Sequence, residues 1–140
     1  MDLFERRRLL FADRKFYIYK SGDSSIEATI SQNRRTFNAD HLLLWKYSSL
    51  IAHVDDITQY HTLNFELAFS DAVTEPAYIG YSRNNSDGGL YGTHKKDITS
   101  TERTVYSFDI TAADAGYNFI KILNQNEGGY TLKIYNIWLE

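Results

Sequence analysis

Four histidines, two adjacent aspartates and one long polar stretch are the residues of this 140-residue chain best suited to chemistry. His41, His53, His61 and His94 are scattered, and none stands at a metal-ligand spacing such as HExxH. Asp55 and Asp56 have the pairing that acid–base catalysis uses. They fall in Asp55-Asp56-Ile57-Thr58, just ahead of an alternating segment, where an acidic turn is the simpler reading. No GxSxG, phosphate-binding loop or dinucleotide fingerprint occurs, and Gly88, Gly89 and Gly92 lack the following helix that a phosphate cradle needs. The sequence therefore assigns no catalytic residue, no metal set and no cofactor. Asp23, Asp87 and Glu140 carry oxygens of the kind calcium takes, but their spacing matches no dedicated loop.

Residues 83–97 are a different matter. Asn84, Asn85, Asp87, Tyr91 and His94 bring amides, a carboxylate, a phenol ring and an imidazole into one stretch too polar for a core. Sugars are held by such sets, since planar rings stack on C–H faces while amides and carboxylates pair hydroxyls. These five are the candidate glycan-binding residues. A solvated hairpin loop is the plain alternative.

The elements that must position them read as strands. In His61 to Phe69, the residues Leu63, Phe65, Leu67 and Phe69 alternate with Thr62, Asn64 and Glu66. Arg103 to Ile110 repeats the pattern, with Thr104, Tyr106, Phe108 and Ile110 on one side. Strict alternation marks a strand with one face in a core. Leu63, Phe65, Phe69, Tyr106 and Phe108 are accordingly expected to be buried. Weaker candidates are 15–20, 26–30, 41–47, 77–82, 118–123 and 130–139. In the last, Leu132 and Ile134 share a face that Asn136 would spoil. A bulge near Tyr135 and Asn136 brings in Ile137 and Leu139 instead. Trp45 and Trp138 fall within strand candidates and read as packing residues. Turn signals at Ser21-Gly22-Asp23, 84–89 and 126–129 separate the runs. About eight strands imply an all-β fold, a sandwich or barrel, with a β-sandwich of jelly-roll type spanning residues 13–140 as the preferred reading.

Residues 1–12 stand apart. Leu3, Phe4, Leu10 and Phe11 recur at helical spacing around Arg6, Arg7 and Arg8, which predicts a short amphipathic α-helix. Three turns are too few for stability in water, so the helix must pack on something. Assembly with a partner through Leu3, Phe4, Arg6, Arg7, Arg8, Leu10 and Phe11 is the preferred reading. Capping one end of its own sandwich is the alternative.

Composition agrees with strands: 11 Tyr, 8 Phe and 2 Trp stand against one Met and one Pro. The net charge of −3 argues against nucleic acid as a partner. The absence of cysteine excludes a disulfide framework and a thiolate metal site. No apolar run reaches the roughly 20 residues of a membrane-spanning helix, so no membrane partner is expected. Asp2 and Glu5 sit where a signal peptide would be basic or apolar, which points to a mature, soluble protein.

Four segments carry a resemblance. They are Asp2-Leu3-Phe4-Glu5-Arg6-Arg7-Arg8-Leu9-Leu10; Ala39 to Tyr47 followed by Val54 to Phe65; Thr104 to Thr111; and Leu132 to Glu140. Together they resemble small tail-associated structural proteins of tailed bacteriophages and prophages of Gram-positive gut bacteria. The chain departs from that pattern in one place: no Gly-Gly-Trp occurs between Asp23 and Phe37. The resemblance implies a carbohydrate-binding-module-like jelly roll, made in the bacterial cytoplasm and displayed on the virion at a tail, fibre or baseplate. Its implied partners are other virion structural proteins, further copies of itself (a trimer by analogy) and a host-surface glycan. A free-standing carbohydrate-binding domain is the rival expectation.

Overall fold

Period-two patterning underlies most of the strands in the computed structural model, which describes residues 15–22, 24–31, 35–38, 40–124 and 131–140. The expected N-terminal helix, with Leu3, Phe4, Arg6, Arg7, Arg8, Leu10 and Phe11, lies outside these residues, as do Asp23 and the turn at 126–129. The strands are β1 (Phe16–Lys20), β2 (Ser25–Ser31), β3 (Arg35–Phe37), β4 (Leu42–Leu44), β5 (Ser48–His53) and β6 (Thr62–Phe69). They continue with β7 (Ala77–Ser82), β8 (Lys95–Ile98), β9 (Thr104–Asp109), β10 (Phe119–Asn124) and β11 (Leu132–Leu139).

Two sheets face each other. In the first, β11 is paired along its length with β6, and β6 with β9. The other edge of β11 is shared. β4 pairs Leu132 to Ile134, and β1 runs parallel to Trp138 and Leu139. The second sheet has the order β2-β5-β10-β7-β8. β2 joins the two: residues 25–28 pair β1, and residues 29–31 pair β5. Inward side chains from both sheets form one core. Phe16, Ile18, Leu63, Phe65, Leu67, Ile134 and Ile137 come from the first, and Leu50, Ile79, Ile120 and Ile122 from the second, all fully buried. Tyr81 of β7 meets Phe108 of β9 edge to face at 5.5 Å, which fixes how the sheets oppose each other.

The alternation expected in β6 and β9 is observed: Leu63, Phe65, Phe69 and Phe108 are buried, whereas Tyr106 is only partly so. The pairing register shifts between Ile134 and Asn136, and Ile137 and Leu139 turn inward as the bulge requires. Among the described residues, eleven strands replace the expected eight. The additions are β3, β5 and β8, short or polar segments without clean alternation. The strand expected over 41–47 is only Leu42–Leu44, because Tyr47 takes a left-handed φ of 58° and turns the chain into β5. Trp45 therefore sits in a turn, not a strand. Likewise 83–97 is not wholly loop: Gly92–His94 forms a 3-10 turn and β8 begins at Lys95.

Candidate functional site

The outward face of the second sheet carries the residues that pleating turns away from the core. Phe119 pairs with His53, Lys121 with Ile51, and Ile51 with Thr29, so β2, β5 and β10 present these side chains side by side. Strands lie about 4.8 Å apart, and three of them span roughly 10 Å. Over them runs the segment between β7 and β8, which folds back across the sheet. Between that segment and β2 lies a groove of about 390 Å³, lined by Glu27, Thr29, Ile51, His53, Asn85, Asp87 and Phe119. The His53 and Phe119 rings lie 4.9 Å apart and tilted by 49°, forming an aromatic floor. Asn85 and Asp87 form the wall.

The wall is fastened from below. The Ser49 hydroxyl donates to Asp87 Oδ1 at 2.7 Å. Asn84 accepts from the Ser86 amide and hydroxyl through Oδ1, at 3.1 and 2.6 Å, which curls the loop into a tight turn. Asn84 Oδ1 also accepts from Lys121 Nζ at 3.1 Å, and the Gly88 carbonyl accepts from the same ammonium at 2.7 Å. Burial pushes Lys121 below the usual lysine range, against the opposing pull of the Asp87 charge. On the β2 side, Glu27 pairs with Lys15 at 3.2 Å.

Of the five candidate residues in the sequence, the structure brings Asn85 and Asp87 into one groove. Asn84 lies behind the wall, holding Lys121 and Ser86. Tyr91 is 76% exposed at the start of the 3-10 turn and does not line the groove. His94 turns into a separate polar cluster. Its Nε2 lies 2.7 Å from Asp114 Oδ1, and its ring stacks on Tyr117 at 4.1 Å. Asp114 also accepts from the Thr111 amide at 2.9 Å and from the Tyr81 hydroxyl at 3.2 Å. Burial alone would raise the Asp114 carboxyl, but the hydrogen bonds from Thr111, His94 and Tyr81 hold it below the ordinary carboxylate range. Burial first, then the Asp114 charge, pushes the Tyr81 phenol up.

Of the two adjacent aspartates, Asp56 serves the backbone. Asp56 accepts from the Thr58 amide at 3.0 Å and from its hydroxyl at 2.6 Å, capping the 3-10 turn Ile57–Gln59. Among the described residues, no group of three His, Asp or Glu side chains is placed to hold a metal ion. The groove offers hydrogen-bonding groups of both kinds and a planar apolar surface. Sequence reasoning missed Glu27, Thr29, Ile51, His53, Phe119 and Lys121. For the last two the signal was present, since Phe119 and Lys121 alternate with Ile120 and Ile122 in β10 and so face outward.

No family model matches the chain, and no curated protein sequence does. Its fold resembles several solved structures. One is a mutant from work probing the mechanism of ligand recognition by family 29 carbohydrate-binding modules (TM-score 0.55, 14% identity, covering 88% of this chain and 89% of that one). Another is a family 29 carbohydrate-binding module from Piromyces equi (TM-score 0.53, 10% identity, 88% and 87% covered). A third is a low-affinity xylan-binding module from Roseburia intestinalis (TM-score 0.50, 9% identity, 81% and 94% covered). The chain is thus an all-β domain with a carbohydrate-binding-module-like sandwich.

Proposed function

We propose that this domain is a non-catalytic glycan-binding module and that the groove on the second sheet is its binding site. One observation carries the reading: the ring pair of His53 and Phe119 lies beside the carboxylates of Glu27 and Asp87, the amide of Asn85 and the hydroxyl of Thr29. An apolar floor with a few convergent polar groups is what a ligand of mixed C–H and O–H surface requires. The shared fold supports the reading, since the similar structures are described as carbohydrate-binding modules and one of them as binding xylan. The reaction class is binding, without bond cleavage.

Display on a phage particle, among other virion structural proteins and as a homo-oligomer with a trimer preferred, is the finer part of the proposal. It is supported by the sequence resemblance. A free-standing carbohydrate-binding domain is the alternative. A glycan array followed by calorimetry on wild type, Phe119→Ala and Asn85→Ala tests the binding itself. Each variant is expected to weaken affinity by about tenfold or more, or ~1.4 kcal/mol. Binding that is unchanged in both variants would move the site off the groove.

A further inference from the structure

Ile51, Lys121 and Gly80 form one outward row across β5, β10 and β7. A lysine in such a row ordinarily sends its ammonium to solvent, yet Lys121 is 0% exposed. An ammonium tolerates burial only where its protons find acceptors. Here those acceptors are Asn84 Oδ1 and the Gly88 carbonyl, both uncharged and both in the segment that carries Asn85 and Asp87. Gly80 completes the arrangement. A β-carbon there would lie 1.8 Å from the His94 carbonyl oxygen, so the returning arm of the same segment rests on its bare backbone. The segment is thus seated on the row at two points, over a buried cation and over a glycine.

We propose that Lys121 is a positioning residue: its buried ammonium clamps residues 84–88 onto the second sheet and thereby sets the wall of the binding groove. Lys121 need not touch a ligand for this. It acts through Asn84 and Gly88, which hold Asn85 and Asp87 at a defined height above His53 and Phe119. The binding arm of this inference rests on the glycan reading, whereas the clamp itself does not.

Lys121→Met keeps the aliphatic stem and removes the head. Hydrogen exchange should speed up about tenfold or more at amides 84–90 while the melting temperature moves by only a few degrees. Affinity for neutral hexasaccharides (xylohexaose, cellohexaose and mannohexaose as probes) should fall about tenfold. In an Asn85→Ala background the same substitution should cost much less, because the wall it positions has already lost its amide. General destabilisation would instead give losses that add. Unchanged exchange at 84–90, or additive losses of affinity, would overturn the proposal. Should Lys121→Met fail to fold, Asn84→Ala removes the clamp from the loop side; because Asn84 also holds Ser86, exchange no faster than in a Ser86→Ala control would overturn the proposal. If the wild type binds none of the hexasaccharides, the glycan reading falls, and exchange at 84–90 alone still upholds or overturns the clamp.

Discussion

The outward faces of the two sheets solve one problem in opposite ways. On the first sheet, polar side chains satisfy one another laterally. Arg103 pairs with Glu66 at 3.1 Å and lies 3.9 Å over the Tyr135 ring, Asn136 donates to Glu66 at 2.7 Å, and the Ser107 hydroxyl donates to Asn64 at 2.6 Å. The groups that need partners already lie within the sheet, on neighbouring strands. On the second sheet, Lys121 has Ile51 and Gly80 as row neighbours, and neither offers an acceptor side chain. Its partners must come from above, and the segment that supplies them becomes a wall. A recess arises beside the row whose polar group is satisfied from outside the sheet.

The most damaging change to that arrangement should be Gly80→Ala. The added methyl meets backbone rather than a flexible side chain, so the His94 arm must shift off β7. A loss of about 3 kcal/mol in urea unfolding is expected, together with faster exchange across the returning arm. An alanine tolerated at less than ~1 kcal/mol would show that the arm is not seated there.

Next comes Asp114, which ties that arm to Thr111 and Tyr81. Its folded carboxyl titrates below its unfolded value, so its contribution is present above the unfolded carboxylate range, near pH 4, and is lost as pH falls through the folded value. Asp114→Asn should cost roughly 1.5–3 kcal/mol near neutrality. It should also flatten the acid limb of the stability–pH curve measured by chemical denaturation. A variant whose acid limb matches wild type would place the acid sensitivity elsewhere.

The smallest effect is expected on the first sheet. Arg103→Ala removes a partly exposed pair and should cost at most about 1 kcal/mol, with glycan affinity unchanged. A loss of affinity in this variant would mean that both faces take part in binding.

How far this contrast was legible from sequence follows from its physics. β6 and β9 announce themselves because one face is core and the other water, and Leu63, Phe65, Leu67 and Phe69 alternate accordingly. The bulge was legible too, since Asn136 could not follow Ile134 inward. β5 was not, because Ser48 and Ser49 are both buried on opposite faces, one toward the core and one beneath the loop, which erases the alternation. β8 was hidden because an edge strand can carry Lys95, Lys96 and Asp97 in solvent. The polar segment after β7 was recognised as a candidate, but its role as a wall was not. The lysine that seats it lies more than 30 positions further along the chain. The groove likewise joins Glu27 to Phe119 through a sheet order that no local pattern records.

Titration of the 15N-labelled chain with xylohexaose and cellohexaose, followed at its backbone amides, tests most directly whether the groove on the second sheet holds a glycan. Saturable shifts are expected at Glu27, Thr29, Ile51, His53, Asn85, Asp87 and Phe119, with Asn64, Glu66 and Ser107 on the first sheet unmoved. Shifts that cluster on the first sheet, or none with either sugar at millimolar concentration, would contradict binding in the groove.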